Sequence, residues 1–219
     1  MEKASNSAGN RTANTTGNPT SHSPGNVAAN LPASTGTAAK QPSSFLMVCL
    51  GNICRSPLAE GILQEKARAA GLDWTIDSAG TNGYHVGEAP HHLSQKVARY
   101  NGIDISRQRA RRFTGADFQR FDKIYAMAGD VIDDMRRIAG RHGLRLTGVP
   151  GSTSPLSFAV LGYSSKVELL MNEVHPGHDA DVPDPYYGPE SDYYEVYQMI
   201  ETAADRIIAK YGKHTTQKA

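Results

Sequence analysis

The stretch from Phe45 to Glu60, Phe-Leu-Met-Val-Cys-Leu-Gly-Asn-Ile-Cys-Arg-Ser-Pro-Leu-Ala-Glu, constrains the local geometry of this chain more than any other. Phe45 to Val48 form an unbroken apolar run, short and β-compatible, as in a buried strand. Ser56 is a good helix N-cap, and Pro57 suits the first helical position. Cys49, the five residues after it and Arg55 must therefore carry the chain from a strand into a helix. A loop of that length at such a junction can turn its backbone N–H groups inward. With a helix N-terminus behind them, those groups make a nest for an anion.

Each residue type in the loop then has a physical task. Cys49 is expected at the bottom of the nest, where donors and the positive end of a helix dipole favour thiolate over thiol. Arg55 offers a planar fork able to bind two oxygens of a phosphoryl group and follow them into a transition state. The amides from Leu50 through Gly51, Asn52, Ile53 and Cys54 to Ser56 stabilise the remaining charge. Gly51 is expected to take dihedrals closed to other residues, and Asn52 to brace the loop through its side-chain amide. Ser56 is placed to hydrogen-bond the Cys49 sulfur. An isolated free cysteine is usually an inert core residue. Cys-x5-Arg-Ser-Pro between a strand and an amphipathic helix is a far more restrictive pattern.

The remaining elements follow from periodicity. Leu58, Ile62, Leu63, Ala67 and Ala70 share one face of a helix closed by Gly71. Trp74 to Ser78 alternates as a strand, His91 to Tyr100 is a helix candidate, and Lys123 to Met127 is another strand. Val131, Ile132, Met135 and Ile138 stripe the next helix. Val167 to Met171 is expected as the last strand, and Tyr193 to Ile207 as an amphipathic closing helix. Strand–helix alternation implies an α/β fold: a doubly wound parallel sheet of about four strands with helices on both faces. Its functional crevice lies at the carboxyl ends of the strands, which is where the Cys49 loop falls.

A chain of 219 residues allows one domain with an appended segment. Residues 1–43 are rich in Ser, Asn, Thr, Ala, Gly and Pro and are expected to be a disordered tail. The domain is expected over 44–212, with 213–219 a disordered end. The tail has no apolar core of a secretion signal and no run is long enough to span a membrane, so a cytoplasmic protein is expected. Two cysteines fit a reducing compartment. The net charge of +1 gives no bulk drive toward nucleic acid. Arg107, Arg109, Arg111 and Arg112 nevertheless form a basic run, ordinarily a solvated face, otherwise an aid in drawing in an acidic phosphoprotein.

Between the last strand and the closing helix stands Val182-Pro-Asp184-Pro-Tyr186-Tyr187-Gly188, where two prolines fix the direction of one carboxyl. Together with the Cys49 loop, this segment closely resembles the low-molecular-weight protein tyrosine phosphatase family. The resemblance runs from about Phe45 to about Tyr211 and is lost between Gly140 and Ser165, which is taken as a surface insertion. It implies hydrolysis of phosphotyrosine through a phosphocysteine on Cys49, with Arg55 binding the phosphoryl group and Asp184 as general acid and base. It implies no metal and no cofactor. Tyr84, Tyr186 and Tyr187 match positions lining the entrance, Ile53 matches the tyrosine-directed members, and Cys54 matches a redox partner for Cys49. Asn101 stands where many relatives carry a histidine bracing the loop asparagine, and Ala128 where an aspartate is common. The expected partner is a phosphotyrosine-containing protein, with no nucleic acid and no membrane. The oligomeric state stays open, a monomer being the expectation.

Rival readings are an arsenate reductase or a phosphoarginine phosphatase on the same scaffold, and a phosphotyrosine-binding module without turnover. The first relays electrons through further cysteines, and none exists beyond Cys54. The module would require loss of the nucleophile or the acid, and both are present. A zinc site from Cys49, Cys54, His175 and His178 has the wrong spacing.

Overall fold

The computed structural model describes residues 41–141, 146–148, 158–160 and 163–214. The expected tail up to residue 40, residues 215–219 and much of the 140–165 segment lie outside the described residues. In chain order the elements are β1 (Ser44–Cys49), α1 (Arg55–Ala69), β2 (Thr75–Gly80), α2 (His92–Tyr100), the single turn α3 (Asp117–Arg120), β3 (Lys123–Ala126), α4 (Gly129–Arg141), β4 (Leu146–Gly148), β5 (Phe158–Val160), β6 (Tyr163–Leu169) and α5 (Glu190–Tyr211). Short 3-10 turns follow β6 at Leu170–Glu173 and α5 at Gly212–His214.

The apolar run that begins β1 has two partners, one on each side of the sheet. Phe45, Met47 and Cys49 pack into a core cluster with residues of α1 and α5, including Leu58, Ile62, Val196 and Ile200. Leu46 and Val48 face the other way, against Val131, Ile132 and Met135 of α4 and the rings of Phe113 and Phe118. Burial on both faces is the reason β1 is continuous rather than alternating in hydrophobicity, as parallel strands covered by helices require. β1 pairs in parallel with β2 on one side and β3 on the other, and β3 pairs in parallel with β6. This is the expected four-stranded parallel sheet with helices on both faces.

One extension was not expected. The sheet order is β2-β1-β3-β6-β5-β4, with β5 and β4 added antiparallel beyond β6. Both strands lie in the segment taken from sequence as a surface insertion. Each is three residues long, too short to leave a period among the flanking Gly, Pro and Ser residues. β6 likewise starts at Tyr163, ahead of the expected Val167, and yields to the 3-10 turn at Leu170. Lys213 and His214, expected to belong to a disordered end, instead form part of a 3-10 turn. Among the described residues no helix is long and apolar enough to cross a membrane.

Gly61 shows how tightly α1 is seated. A Cβ there would stand 2.5 Å from Ile105 Cγ2 and 3.2 Å from Ile103 Cγ2, and Ile105 is only 2% exposed. Alanine improves helix propensity by about 1 kcal/mol, whereas overpacking a closed core costs about 1–3 kcal/mol. Gly61→Ala is therefore expected to lower the urea midpoint without changing the m-value. A raised midpoint would mean that the segment carrying Ile103 and Ile105 yields without cost.

Candidate active site

The chain leaves β1 at Cys49 and enters α1 at Arg55, and between them the loop closes around the cysteine. The backbone N–H of Asn52 donates to Cys49 Sγ at 3.2 Å. Ser56 Oγ lies 3.0 Å from the same sulfur. Cys54, the residue before α1, makes no side-chain cap, and the expected N-cap Ser56 lies inside the helix. Its hydroxyl lies against the sulfur and within 3.5 Å of the Ala79 carbonyl, and no side chain caps the N-terminus of α1. The left-handed backbone conformation belongs to Asn52 (φ 57), not to Gly51 as expected. Asparagine tolerates that region better than other residues with a side chain.

Asn52 holds its backbone there by spending every polar atom of its side chain. Nδ2 donates to Ser56 Oγ at 2.9 Å and to Ser78 Oγ at 2.8 Å, while Oδ1 accepts from the backbone N–H of Arg111 at 2.9 Å. A backbone N–H can only donate, so the orientation of the amide is fixed by its partners. Because Asn52 already donates to Ser56, the serine's own proton is left to the sulfur at 3.0 Å or the Ala79 carbonyl at 3.5 Å. Arg111 is in turn locked by Asp77 and Asp117, at 2.9 and 3.2 Å. Asn101 takes no part: it is exposed and its Nδ2 donates to the Val97 carbonyl at the end of α2. Ala128, the other departure, is buried at the start of α4.

Arg55 is 4% exposed and reaches the expected acid. Its Nη1 donates to the Val182 carbonyl at 3.2 Å and its Nη2 to Asp184 Oδ2 at 2.5 Å. The Asp184 loop is pinned to the same rim by the Val182 N–H, which donates to the Met127 carbonyl at 2.8 Å just past β3. Asp184 Oδ1 accepts from the N–H of Tyr186. Arg55 Nε is buried without any partner, a costly condition for a cation's donor unless an anion arrives to meet it.

Above this pair opens a cavity of about 410 Å³ bordered by Cys49, Cys54, Arg55, Asp184, Tyr84, Tyr186 and Tyr187. The three tyrosines are exposed and stand at its mouth. Leu50, Gly51 and Ile53 also line it, while Asn52 and Ser56 lie beneath. Two wall residues were missed from the sequence, Asn82 and His85. So was Gly80, where a Cβ would stand 2.9 Å from Gly51 C and Leu50 O, so that only glycine lets β2 approach the loop. The small run Ser78-Ala79-Gly80 at a strand's carboxyl end was the available signal. Cys54 packs its thiol against the Tyr193 hydroxyl at 3.8 Å, and burial pushes it up to about 12. Among the described residues no group of three or more His, Cys, Asp and Glu side chains could hold a metal ion.

The brace ends on an acid the sequence did not single out. Ser78 Oγ accepts from Asn52 and gives its own proton to Glu60 Oε2 at 2.6 Å. Burial, helped by the Asp77 carboxylate, pushes Glu60 up to about 7. The folded state therefore holds this proton more tightly than the unfolded chain. Ionising Glu60 removes stability progressively as pH rises from its ordinary value of 4.5 to about 7. Below that window the carboxyl is protonated in both states and the effect vanishes. Glu60→Gln keeps an acceptor for Ser78 without the charge. Its melting temperature relative to wild type should climb between pH 4.5 and 7 and level off above; a difference independent of pH would mean that Glu60 carries no buried charge.

Comparison with known proteins gives this geometry a family. A model described as low molecular weight phosphotyrosine protein phosphatase matches residues 44–148 and 154–217. The low molecular weight protein-tyrosine-phosphatase YfkJ of Bacillus subtilis is 36% identical over 172 residues, 78% of this chain and 96% of that one. Its crystal structure superposes with a TM-score of 0.63 at 34% identity, covering 81% of this chain and 99% of that one. The human low molecular weight phosphotyrosine protein phosphatase is 34% identical over 175 residues, 79% of this chain and 98% of the human one. A structure of the YwlE arginine phosphatase, 22% identical, covers 78% of this chain and 97% of that one with a TM-score of 0.63 and shares the fold. A nest around Cys49 with Arg55 tying it to Asp184, on a four-stranded parallel sheet, thus belongs to a member of the low molecular weight phosphotyrosine protein phosphatase family.

Proposed function

We propose that this chain hydrolyses phosphotyrosine in proteins, and small aryl phosphates, through a phosphocysteine on Cys49. The observation that carries the reading is the Arg55–Asp184 ion pair over the Cys49 nest. One guanidinium there serves both the anion site and the acid. An arriving phosphate dianion competes for the fork with two oxygens against Asp184's one, and it meets the unpartnered Nε. Asp184, displaced from Arg55, is then the group placed to hand a proton to the leaving oxygen.

The first step forms the sulfur–phosphorus bond as the Cys49 thiolate attacks in line. The phosphorus–oxygen bond to the aryl group breaks, and Asp184 gives its proton to the departing phenol oxygen. In the second step Asp184 carboxylate takes a proton from water while that water attacks phosphorus. The sulfur–phosphorus bond breaks, and Ser56 and the Asn52 N–H receive the thiolate. Arg55 and the loop amides carry the phosphoryl charge throughout, so the residues present supply each role without a metal. Tyr84, Tyr186 and Tyr187 at the rim suit a flat aryl ring, and a serine phosphate is too short to reach the sulfur from there. The compartment that suits a nucleophilic thiol is the reducing cytoplasm.

Hydrolysis of p-nitrophenyl phosphate by wild type without added metal, and none by Cys49→Ser, is the expected result. Asp184→Asn should lower turnover of aryl esters by about 10²–10⁴-fold. Equal activity in Cys49→Ser would overturn the nucleophile, and phosphopeptides carrying phosphotyrosine, phosphoserine or phosphoarginine test the substrate class.

Cys54 is proposed as the redox partner of Cys49. Peroxide would oxidise the Cys49 thiolate to a sulfenic acid; Cys54 sulfur then displaces hydroxide to form a disulfide, and water leaves. A thiol pushed up to about 12 is a reluctant nucleophile, so disulfide formation should be slow and speed up with rising pH. Mass spectrometry of peroxide-treated protein should find a Cys49–Cys54 link reversed by dithiothreitol; only overoxidised Cys49 would sink the idea.

A further inference from the structure

A second concavity of about 480 Å³ shares a wall with the first: Asn82 and Tyr84 border both. That wall hangs directly from the Cys49 loop, because Thr81 and Asn82 donate their N–H groups to the Cys49 and Leu50 carbonyls, each at 3.0 Å. Its far side is basic. Arg112, Arg137 and Arg141 line it with a single carboxylate, Asp134. Asp134 is already engaged, accepting from Thr81 Oγ1 at 2.7 Å and paired with Arg137 one helical turn on. Arg112 is exposed, and neither it nor Arg141 is paired with a carboxylate among the described residues. Arg112 is also fixed in place, since Gly80 of β2 bridges to it while bonding the Arg111 carbonyl and the Phe113 N–H at 2.9 and 2.7 Å.

We infer that this basic concavity is a subsite for a second anionic group on the substrate peptide, close in sequence to the phosphotyrosine. The inference rests on the phosphotyrosine reading of the first cavity. Three guanidinium groups against one engaged carboxylate leave a local charge of two positives, by counting the lining residues. Tyr84 and Asn82 border both that charge and the phosphate nest. A peptide that seats its phosphotyrosine beside Tyr84 and runs on across this wall brings a glutamate, aspartate or second phosphate among the arginines. The chain's basic run is thereby divided in function. Arg111 is spent on Asp77 and Asp117, and Arg112 faces the substrate side.

The test uses the full chain and two peptide series, each with one phosphotyrosine. The first has glutamate at successive flanking positions, the second glutamine. Wild type should show a higher kcat/KM for the glutamate peptides at one or two positions, and a doubly phosphorylated peptide should gain more. Each arginine at a solvent-exposed site is expected to contribute about two- to fivefold, and the preference should fade as salt rises. Arg112→Ala and Arg141→Ala should each shrink it, Arg112→Glu should reverse it in favour of lysine peptides, and all three should leave p-nitrophenyl phosphate turnover unchanged. A glutamate preference absent from wild type, or surviving both alanine variants, overturns the subsite. Loss of p-nitrophenyl phosphate turnover in Arg112→Ala also overturns it, by assigning that residue to the support of the loop. Fluorescence anisotropy of the same peptides on Cys49→Ser reads the preference without turnover. A failure of the catalytic reading is therefore separable from a failure of the subsite.

Discussion

The shape of the anion nest depends on one residue with a side chain in a backbone conformation that side chains resist. Asn52 at φ 57 turns the loop so that its own N–H meets the Cys49 sulfur, and three hydrogen bonds from its amide compensate for that conformation. Glycine would adopt the dihedral more easily, but it could not tie the loop to Ser56, Ser78 and Arg111. The loop is thus shaped by a braced asparagine, while glycine is kept for Gly80, where the constraint is room. Glu60 and Asp77 sit at the outer ends of this brace. The position of the sulfur is therefore held from α1, from β2 and from the strip carrying Arg111 at once.

Arg55 plays the corresponding part on the other side of the nest. Its guanidinium is buried, joined to a carbonyl and a carboxylate of the same loop, and left with one nitrogen, Nε, that has no partner. A cation removed from water needs anionic or dipolar partners for nearly all its donors. In this resting arrangement Asp184 supplies the anion and the Val182 carbonyl a dipole. In the proposed cycle the phosphate supplies the anion, and Asp184 is released at the moment its proton is wanted. Anion binding and acid positioning are in that sense one event, joined by the geometry of a single fork. The same pairing keeps the prolyl loop over the nest while no substrate is bound.

Much of this was legible in the sequence because the relevant signals are local. Strand, loop and helix start around Cys49 follow one another between Ser44 and Pro57, and each has its own marker. The Asp184 loop advertises itself through its flanking prolines, and its reach to Arg55 follows from parallel strands ending on one rim. What stayed hidden depends on contacts between distant segments. Ser56 has the composition of a cap as well as a position beside the sulfur, and only the fold reveals that it keeps the second role and lies inside the helix. Nothing in the sequence near Gly51 distinguishes it from Asn52 as the residue at positive φ. Glu60 is one charged residue among several on α1 until β2 brings Ser78 to it. The short strands β4 and β5 add too few residues to show a period.

The arginine run from 107 to 112 illustrates the general difficulty. By composition its members are equivalent, and a solvated face was the natural expectation. Arg107, Arg109 and Arg112 are indeed exposed. Extended backbone after Ala110 nevertheless sends alternate side chains to opposite sides, so Arg111 goes inward to two aspartates and Arg112 outward beside Tyr84's wall. Two adjacent identical residues thereby acquire unlike duties, one half-buried and paired with two carboxylates, the other exposed. The brace on Asn52 comes from the backbone of Arg111, so the strip that firms the nest also sets Arg112 next to it. Any feature that stabilises one therefore fixes the distance of the other from the phosphate, which is how a local charge can be tied to the chemistry without touching it.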